Sequence, residues 1–240
     1  MGIGPDFTAS RYGIVGDGRL ARHIACYFSL LHIPCRRWSR RTGQDPARLL
    51  SECRVVLVLI SDGAIEDFIR ERFPRAAQTL VHCSGVLSTP LALGFHPLMS
   101  FGPDDMSLEE YAAIPFISEK GTRPFPEVFP ELKNPHYEIP KGAAPLYHSL
   151  AVMAGNFSVI LWRKLFRDFQ DRLGLPKEAA LPYLRRVLRG IEADPEAAWT
   201  GPLRRGDRAT MAKHLEGLRG DPFAQVYESF TRAVAEEART

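Results

Sequence analysis

The chain has 240 residues, 45% of them hydrophobic, with 31 basic and 28 acidic side chains and a formal net charge of +3. That apolar content supports one large packed core or two small ones and excludes general disorder. The charges are mixed along the chain, with no basic tail and no basic stripe interleaved with aromatics, which argues against a nucleic-acid partner.

From Tyr12 to about Ile139 short apolar, β-branched runs alternate with amphipathic segments, the pattern of a parallel sheet covered by helices. The expected strands are Tyr12–Val15, Pro34–Trp38, Val55–Ile60, Thr79–Cys83, Gly94–Pro97, Ala113–Ile117 and His136–Ile139. Short helical stretches are expected near Gln44–Ser51 and over Gly63–Arg72, the latter with Asp62 as its N-cap. Prolines then crowd the segment from Arg123 to Pro145 and mark a boundary region. Beyond it the pattern is helical only: Pro145 to about Arg172, Lys177–Gly190, Asp207–Leu218 capped by Asp207, and Pro222–Ala238. The expected organisation is an α/β class chain: a doubly wound parallel sheet of the Rossmann type over 1–143, followed by an all-helical domain over 144–240.

The first ten residues, "MGIGPDFTAS", carry neither a basic n-region nor an apolar h-region, and the expectation is a cytoplasmic protein. The longest apolar stretch, Leu146 to Trp162, is interrupted by His148, Ser149, Asn156 and Ser158, so it reads as a buried helix and not as a membrane span. Cys26, Cys35, Cys53 and Cys83 are scattered without a C-x-x-C pair, which suits free thiols better than disulfides or a metal site.

Gly16-Asp17-Gly18-Arg19-Leu20-Ala21 forms a G-x-G-x-x-A turn directly after a predicted strand and before a predicted helix, the context that a dinucleotide fingerprint requires. Gly16 allows the tight turn, Gly18 lets backbone approach a pyrophosphate, Ala21 lets helix and strand pack closely, and the anion meets the helix N-terminus at Arg19 and Leu20. The end of the second strand discriminates between dinucleotides. An NAD site places a carboxylate there for the ribose hydroxyls, whereas this chain has Ser39, Arg40 and Arg41, a hydroxyl and two guanidiniums suited to a 2′-phosphate. The expected cofactor is NADP(H). The missing acidic residue also disfavours a methyltransferase using S-adenosylmethionine. Ser61 and Asp62 follow the third strand, where carboxyl-end loops line a ligand crevice, although Asp62 is explained as well by a cap.

Three readings compete for His82-Cys83-Ser84-Gly85 and His96. No G-x-S-x-G elbow supports a nucleophile, and adjacent strand residues such as His82 and Cys83 point to opposite faces, which disfavours a shared metal. The third reading is a crevice floor beside a nicotinamide, with Ser84 and Gly85 offering hydrogen bonds. On the long helix, an uninterrupted α-helical spacing puts His148 and Asn156 about 80° apart, so they share one broad flank. The imidazole suits a proton donor and the amide an orienting group; a buried, satisfied pair remains equally open. Gly201-Pro202 forms a turn that presents Arg204 or Arg205 to an anionic group, unless the loop is simply closed by the Asp207 cap.

Together, "GIVGDGRLA", "VHCSGVLS", "FHPLMSF", "LYHSLAVMAGNF" and "TGPLRRGDRAT…HL" resemble a family of bacterial Rossmann-like proteins with a helical C-terminal domain of unassigned function, related to pyrroline-5-carboxylate reductase and ketopantoate reductase. The resemblance implies NADP at Gly16, Gly18, Ala21, Ser39 and Arg40, and a homodimer through the helices. It also implies an interdomain cleft to which His148, Asn156, Arg205, Asp207 and Thr210 contribute. Its pattern often has a lysine four residues before the histidine of the Tyr-His pair; here that residue is Ala144, with Lys141 three residues earlier. The expected function is reduction by NADPH of a C=O or C=N bond in a small anionic metabolite, with His148 as proton donor, Asn156 orienting and Arg205 holding the anion. The alternative is a non-catalytic NADP-binding sensor or regulatory dimer.

Overall fold

The computed structural model describes residues 11–237, so the first ten residues and Ala238, the expected end of the last helix, lie outside the described part. The chain divides into two compact units, with the division between Ile160 and Leu161.

The first unit is organised on a five-stranded, wholly parallel sheet of order β2-β1-β3-β4-β5. Its strands are β1 (Tyr12–Val15), β2 (Cys35–Trp38), β3 (Val55–Val58), β4 (Thr79–His82) and β5 (Leu93–Gly94). Successive side chains on a strand face opposite sides, and here both sides are dry. Ile14, Val55, Leu57 and Val81 enter one core with helix α1 (Arg19–Leu30), while Val15, Val56, Val58 and Leu80 enter a second with helix α3 (Asp62–Arg72). Burial on both faces explains why "VVLV" is an unbroken apolar run. A short helix α2 (Pro46–Leu49), capped by Asp45, connects β2 to β3.

A second sheet, of order β6-β7-β8, contains β6 (His96–Pro97), β7 (Phe116–Glu119) and β8 (His136–Ile139). It corrects two sequence expectations. The single strand expected over Gly94–Pro97 is split: β5 pairs with β4, β6 runs antiparallel to β7, and Phe95 between them is buried against Phe125 and Phe129. The strand expected from Ala113 begins only at Phe116 because Ala113 closes helix α4 (Leu108–Ala113). That helix is held by a reciprocal cap in which Glu110 N donates to Ser107 Oγ (3.2 Å) and Ser107 N donates to Glu110 Oε2 (2.7 Å). One further short helix, α5 (Phe125–Val128), precedes β8.

The long helix expected from Pro145 is interrupted. Helix α6 (Ala144–Val152) passes through a π-helical turn, Met153–Phe157, into α7 (Ser158–Leu173). The expectation that this stretch is buried is also corrected: Leu146 is 65% exposed, and Leu150, Met153 and Phe157 are exposed as well. By length and composition, Ala144–Leu173 is the one helix among the described residues long and apolar enough to cross a membrane.

The second unit is built only of helices among its described residues. After α7 a 3-10 turn (Lys177–Ala180) leads to α8 (Leu181–Ala193), so the helix expected over Lys177–Gly190 begins later and ends later. Helices α9 (Pro195–Ala198), α10 (Arg208–Gly217) and α11 (Phe223–Glu237) complete it. Lys164 is paired with Asp168 and Asp221, and Arg172 reaches the same two carboxylates, which joins α7 to the start of α11.

Candidate functional site

The carboxyl ends of β1, β2 and β3 surround a cleft of about 530 Å³. Its first wall is the glycine turn. Gly16 has φ +120°, and a Cβ there would fall 2.3 Å from the Leu59 carbonyl oxygen, so only glycine fits. Gly18 differs in kind: no atom lies within 4 Å of where its Cβ would be, leaving open space directly before α1. Gly18 is the N-cap of that helix and gives no side-chain cap, and no acidic residue occupies the first turn. Unpaired N–H groups and the positive end of a helix dipole therefore face an open cleft, the arrangement that receives a phosphate group.

Arg19 and Leu20 complete this wall, and Ser39 and Arg40 form the second. Of the expected cofactor residues, Gly16, Gly18, Arg19, Leu20, Ser39 and Arg40 thus share one cleft, joined by Ser61, Asp62 and Ser84. Ala21 does not line it; it is fully buried, packing α1 on the sheet. Arg41 does not line the cleft; its side chain is 91% exposed and pairs at 3.7 Å with Asp17. The cause is the 3-10 turn Arg40–Thr42, in which Ser39 N donates to Thr42 Oγ1 (2.9 Å) and Arg41 N to Ser39 Oγ (3.3 Å), turning successive arginines to different sides. Trp38 and Phe68 also line the cleft and pack on each other at 5.4 Å, an aromatic wall that sequence reasoning missed. The tryptophan next to Ser39 was the available signal.

Asp62 is not the N-cap of α3. Ser61 occupies that position without a side-chain bond, and Asp62, the first helical residue, accepts a 2.5 Å hydrogen bond from Ser84 Oγ. That hydroxyl also accepts from Leu87 N (3.1 Å), folding the loop after β4 around itself. The expectation that Ser84 and Gly85 both offer free hydrogen bonds is corrected accordingly. Gly85 is covered by an imidazole: a Cβ there would fall 2.2 Å from His148 Nδ1.

This contact is the centre of a histidine cluster. His148 stands edge-on to His96, ring centroids 5.2 Å apart, and His96 Nδ1 lies 2.7 Å from the Tyr147 hydroxyl. Burial first, then the neighbouring His148, lowers the His96 pKa to about 4, and burial raises the Tyr147 phenol to about 12. At neutral pH the phenol therefore donates to an uncharged imidazole. His82 is 1% exposed with its Nδ1 unpaired, and its pKa is lowered by burial, opposed by the charge of Asp62. Cys83 is buried on the opposite face, its thiol pushed up to about 12 by burial and then by Asp62, which makes it a poor nucleophile. Among the described residues no group of three or more His, Cys, Asp or Glu side chains is placed to hold a metal ion.

Asn156 is exposed in the π-helical turn and makes no side-chain hydrogen bond among the described residues, and that turn removes the uninterrupted α-helical spacing between it and His148. In the second unit, Arg204 donates to the carbonyls of Glu196 (2.6 Å) and Trp199 (2.5 Å) and stacks on Trp199, so it holds its own loop. Arg205 is exposed, and its charge helps to lower the Asp207 pKa after the larger effect of bonds from Thr210. Asp207 is the expected cap, accepting from Thr210 N (3.0 Å) and Thr210 Oγ1 (2.6 Å).

Similar folds occur among solved structures. A Bacteroides fragilis protein, provisionally named an NADP oxidoreductase, is 20% identical, with TM-score 0.74 over 94% of this chain and 97% of that one. Protein TM1727 of Thermotoga maritima is 27% identical, with TM-score 0.65 over 95% of this chain and 100% of that one. An imine reductase of Streptomyces aurantiacus is 17% identical, with TM-score 0.66 over 94% of each chain. No curated protein matches the sequence. The family model described as domain of unknown function DUF2520 matches residues 115–234, half of the chain, and the chain therefore belongs to the DUF2520 family.

Proposed function

We propose that the chain is an NADPH-dependent oxidoreductase that reduces a C=O or C=N bond of a small anionic metabolite. The observation that carries this reading is the cleft beside Gly18: open space at a bare helix N-terminus, no carboxylate at the end of β2, and Ser39 and Arg40 on the facing wall. The names of solved structures with similar folds point the same way, one being a reductive aminase of Aspergillus terreus in complex with NADPH and ethyl levulinate (15% identity, TM-score 0.58, 95% of each chain covered). Kinship to pyrroline-5-carboxylate reductase and ketopantoate reductase belongs to the same proposal.

Bound in this cleft, NADPH would supply a hydride. The backbone at Gly18 and Arg19 would hold its pyrophosphate, and Ser39 and Arg40 its ribose phosphate. Ser84, on the cleft wall and held by Asp62, sets the far end, and His148 lies over the next residue, Gly85. His148 donates the proton that the reduced oxygen or nitrogen requires. Tyr147 and His96 hold the adjoining wall in one protonation state. This reading uses side chains of the first unit only; Asn156 and Arg205 are not part of it.

The test is a calorimetric titration with NADPH and NADH of the parent chain and of Arg40→Ala. Loss of a charge-assisted contact should weaken NADPH about ten- to hundredfold and leave NADH unchanged. Equal NADPH affinity in both proteins would sink the assignment. NADPH binding without turnover of any small keto or imino acid would turn the reading to a non-catalytic sensor. A homodimer belongs to the same proposal, a second copy covering the exposed Leu146, Leu150, Met153 and Phe157. The sedimentation mass of the full chain checks it.

A further inference from the structure

A second cavity, of about 290 Å³, opens at the carboxyl ends of β4, β7 and β8 and shares Ser84 with the nucleotide cleft. Its composition differs from that of the cleft. Lys120 and Lys141 line it, and among the described residues neither forms an ion pair or a side-chain hydrogen bond. Glu119 lines it too, but both its oxygens are engaged: Oε1 accepts from Gly142 N (2.8 Å) and Ala144 N (3.4 Å), and Oε2 accepts from Ser88 Oγ (3.3 Å). The carboxylate thus organises the turn that carries Lys141, and positive charge remains in excess.

The inner wall provides the second observation. His82 lines the cavity, is 1% exposed and has an unpaired Nδ1. Its ring packs closely on Gly94, where a Cβ would fall 3.0 Å from His82 Cε1. A buried polar group without a partner carries an energetic cost that a bound ligand or water removes. His96 and Tyr147 line the same wall.

We propose that this cavity binds the substrate of the reduction, a small organic acid whose carboxylate lies between Lys120 and Lys141 and whose C=O or C=N end points to Ser84 and Gly85, the residue that His148 covers. The inference rests on the proposed reductase activity for the reaction, though not for the binding itself. It assigns recognition of the anion to two lysines of the first unit in place of Arg205. Ammonium groups on flexible stems suit an anion of variable shape, and a cavity of this size suits a molecule of a few carbons.

The experiment is calorimetry on the full chain, first without nucleotide and then saturated with NADP⁺, using pyruvate and 2-oxoglutarate, each beside its methyl ester. The acid should bind at least about tenfold more tightly than the ester, and a Lys120→Gln/Lys141→Gln double variant should lose that preference while keeping its NADPH affinity. Both lysines are exposed, and an unchanged melting temperature checks that the double variant folds. Equal binding of acid and ester, binding of neither, or a preference that survives in the double variant would overturn the proposal. Failure of NADPH to bind would overturn the reductase reading alone, because the titration without nucleotide still reads the anion site.

Discussion

The cleft beside Gly18 and the histidine cluster lie at the same end of the same unit, yet they are built in opposite ways. The cleft is made by three short loops, Gly16–Leu20, Trp38–Arg40 and Leu59–Asp62, each following a strand of one parallel sheet. Backbone shape decides it: a positive φ at Gly16, missing side-chain volume at Gly18, a bare helix end. The cluster brings His148 onto Gly85 and Tyr147 onto His96 across long stretches of sequence, and side-chain packing decides it. The first should therefore be sensitive to backbone conformation and the second to side-chain volume.

The largest effect is expected at Gly85. A methyl group placed 2.2 Å from His148 Nδ1 must push the imidazole away, because residue 85 gives it no other room. Gly85→Ala should lower NADPH-dependent turnover roughly 10²–10⁴-fold, the usual cost of losing a general acid, while NADPH still binds. Turnover is measured on any acid or imine the chain reduces. An unchanged rate would show that His148 is only a packing residue. Next comes Gly16→Ala. A φ of +120° together with a Cβ 2.3 Å from the Leu59 carbonyl should cost about 3 kcal/mol and abolish NADPH binding, measured by chemical denaturation and calorimetry.

The same contrast explains what the sequence made legible. The glycine turn, the absence of a carboxylate after β2 and the Asp207 cap are local patterns with a fixed spacing, and they were found where they stand. Arg41 stands outside the cleft because a three-residue 3-10 turn rotates neighbouring side chains apart, which composition does not reveal. The angle between His148 and Asn156 differs from the expected one because a π-helical turn interrupts the α-helical period. The pairing of Tyr147 with His96 and the covering of Gly85 by His148 had no local signal at all; each depends on how α6 meets β6 and the loop after β4. Lys120 and Lys141 carry no shared local pattern; the parallel pairing of β7 and β8 brings both to one cavity.

A smaller effect sharpens the electrostatic half of the comparison. The His96 pKa of about 4 lies below its ordinary 6.5, so between those values the unfolded chain binds a proton that the folded chain does not. The contribution of His96 is therefore present above about pH 6.5 and is lost as pH falls towards 4. His82 is shifted in the same direction. Thermal melting of the parent chain should decline over that interval, and His96→Phe should decline less. Parallel curves for the two proteins would place the acid sensitivity elsewhere.

Asp207 tests whether a legible local pattern must also be a binding site. Its carboxylate accepts from Thr210 N and Thr210 Oγ1 at the start of α10, and those bonds, Thr210's side chain first, hold its pKa below the usual carboxylate range. Both oxygens are engaged within their own loop, as Arg204 is engaged with the carbonyls of Glu196 and Trp199. A cap of this kind contributes about 1 kcal/mol, which for a chain of this size is a fall of roughly 2–4 °C in melting temperature on Asp207→Ala. NADPH affinity and the preference for an acid over its ester should not change, because neither the nucleotide cleft nor the lysine cavity includes this loop. A loss of either binding property in Asp207→Ala, without a matching loss of stability, would return the Gly201–Thr210 loop to the site and remove the distinction between a pattern that folds the chain and one that recognises a ligand.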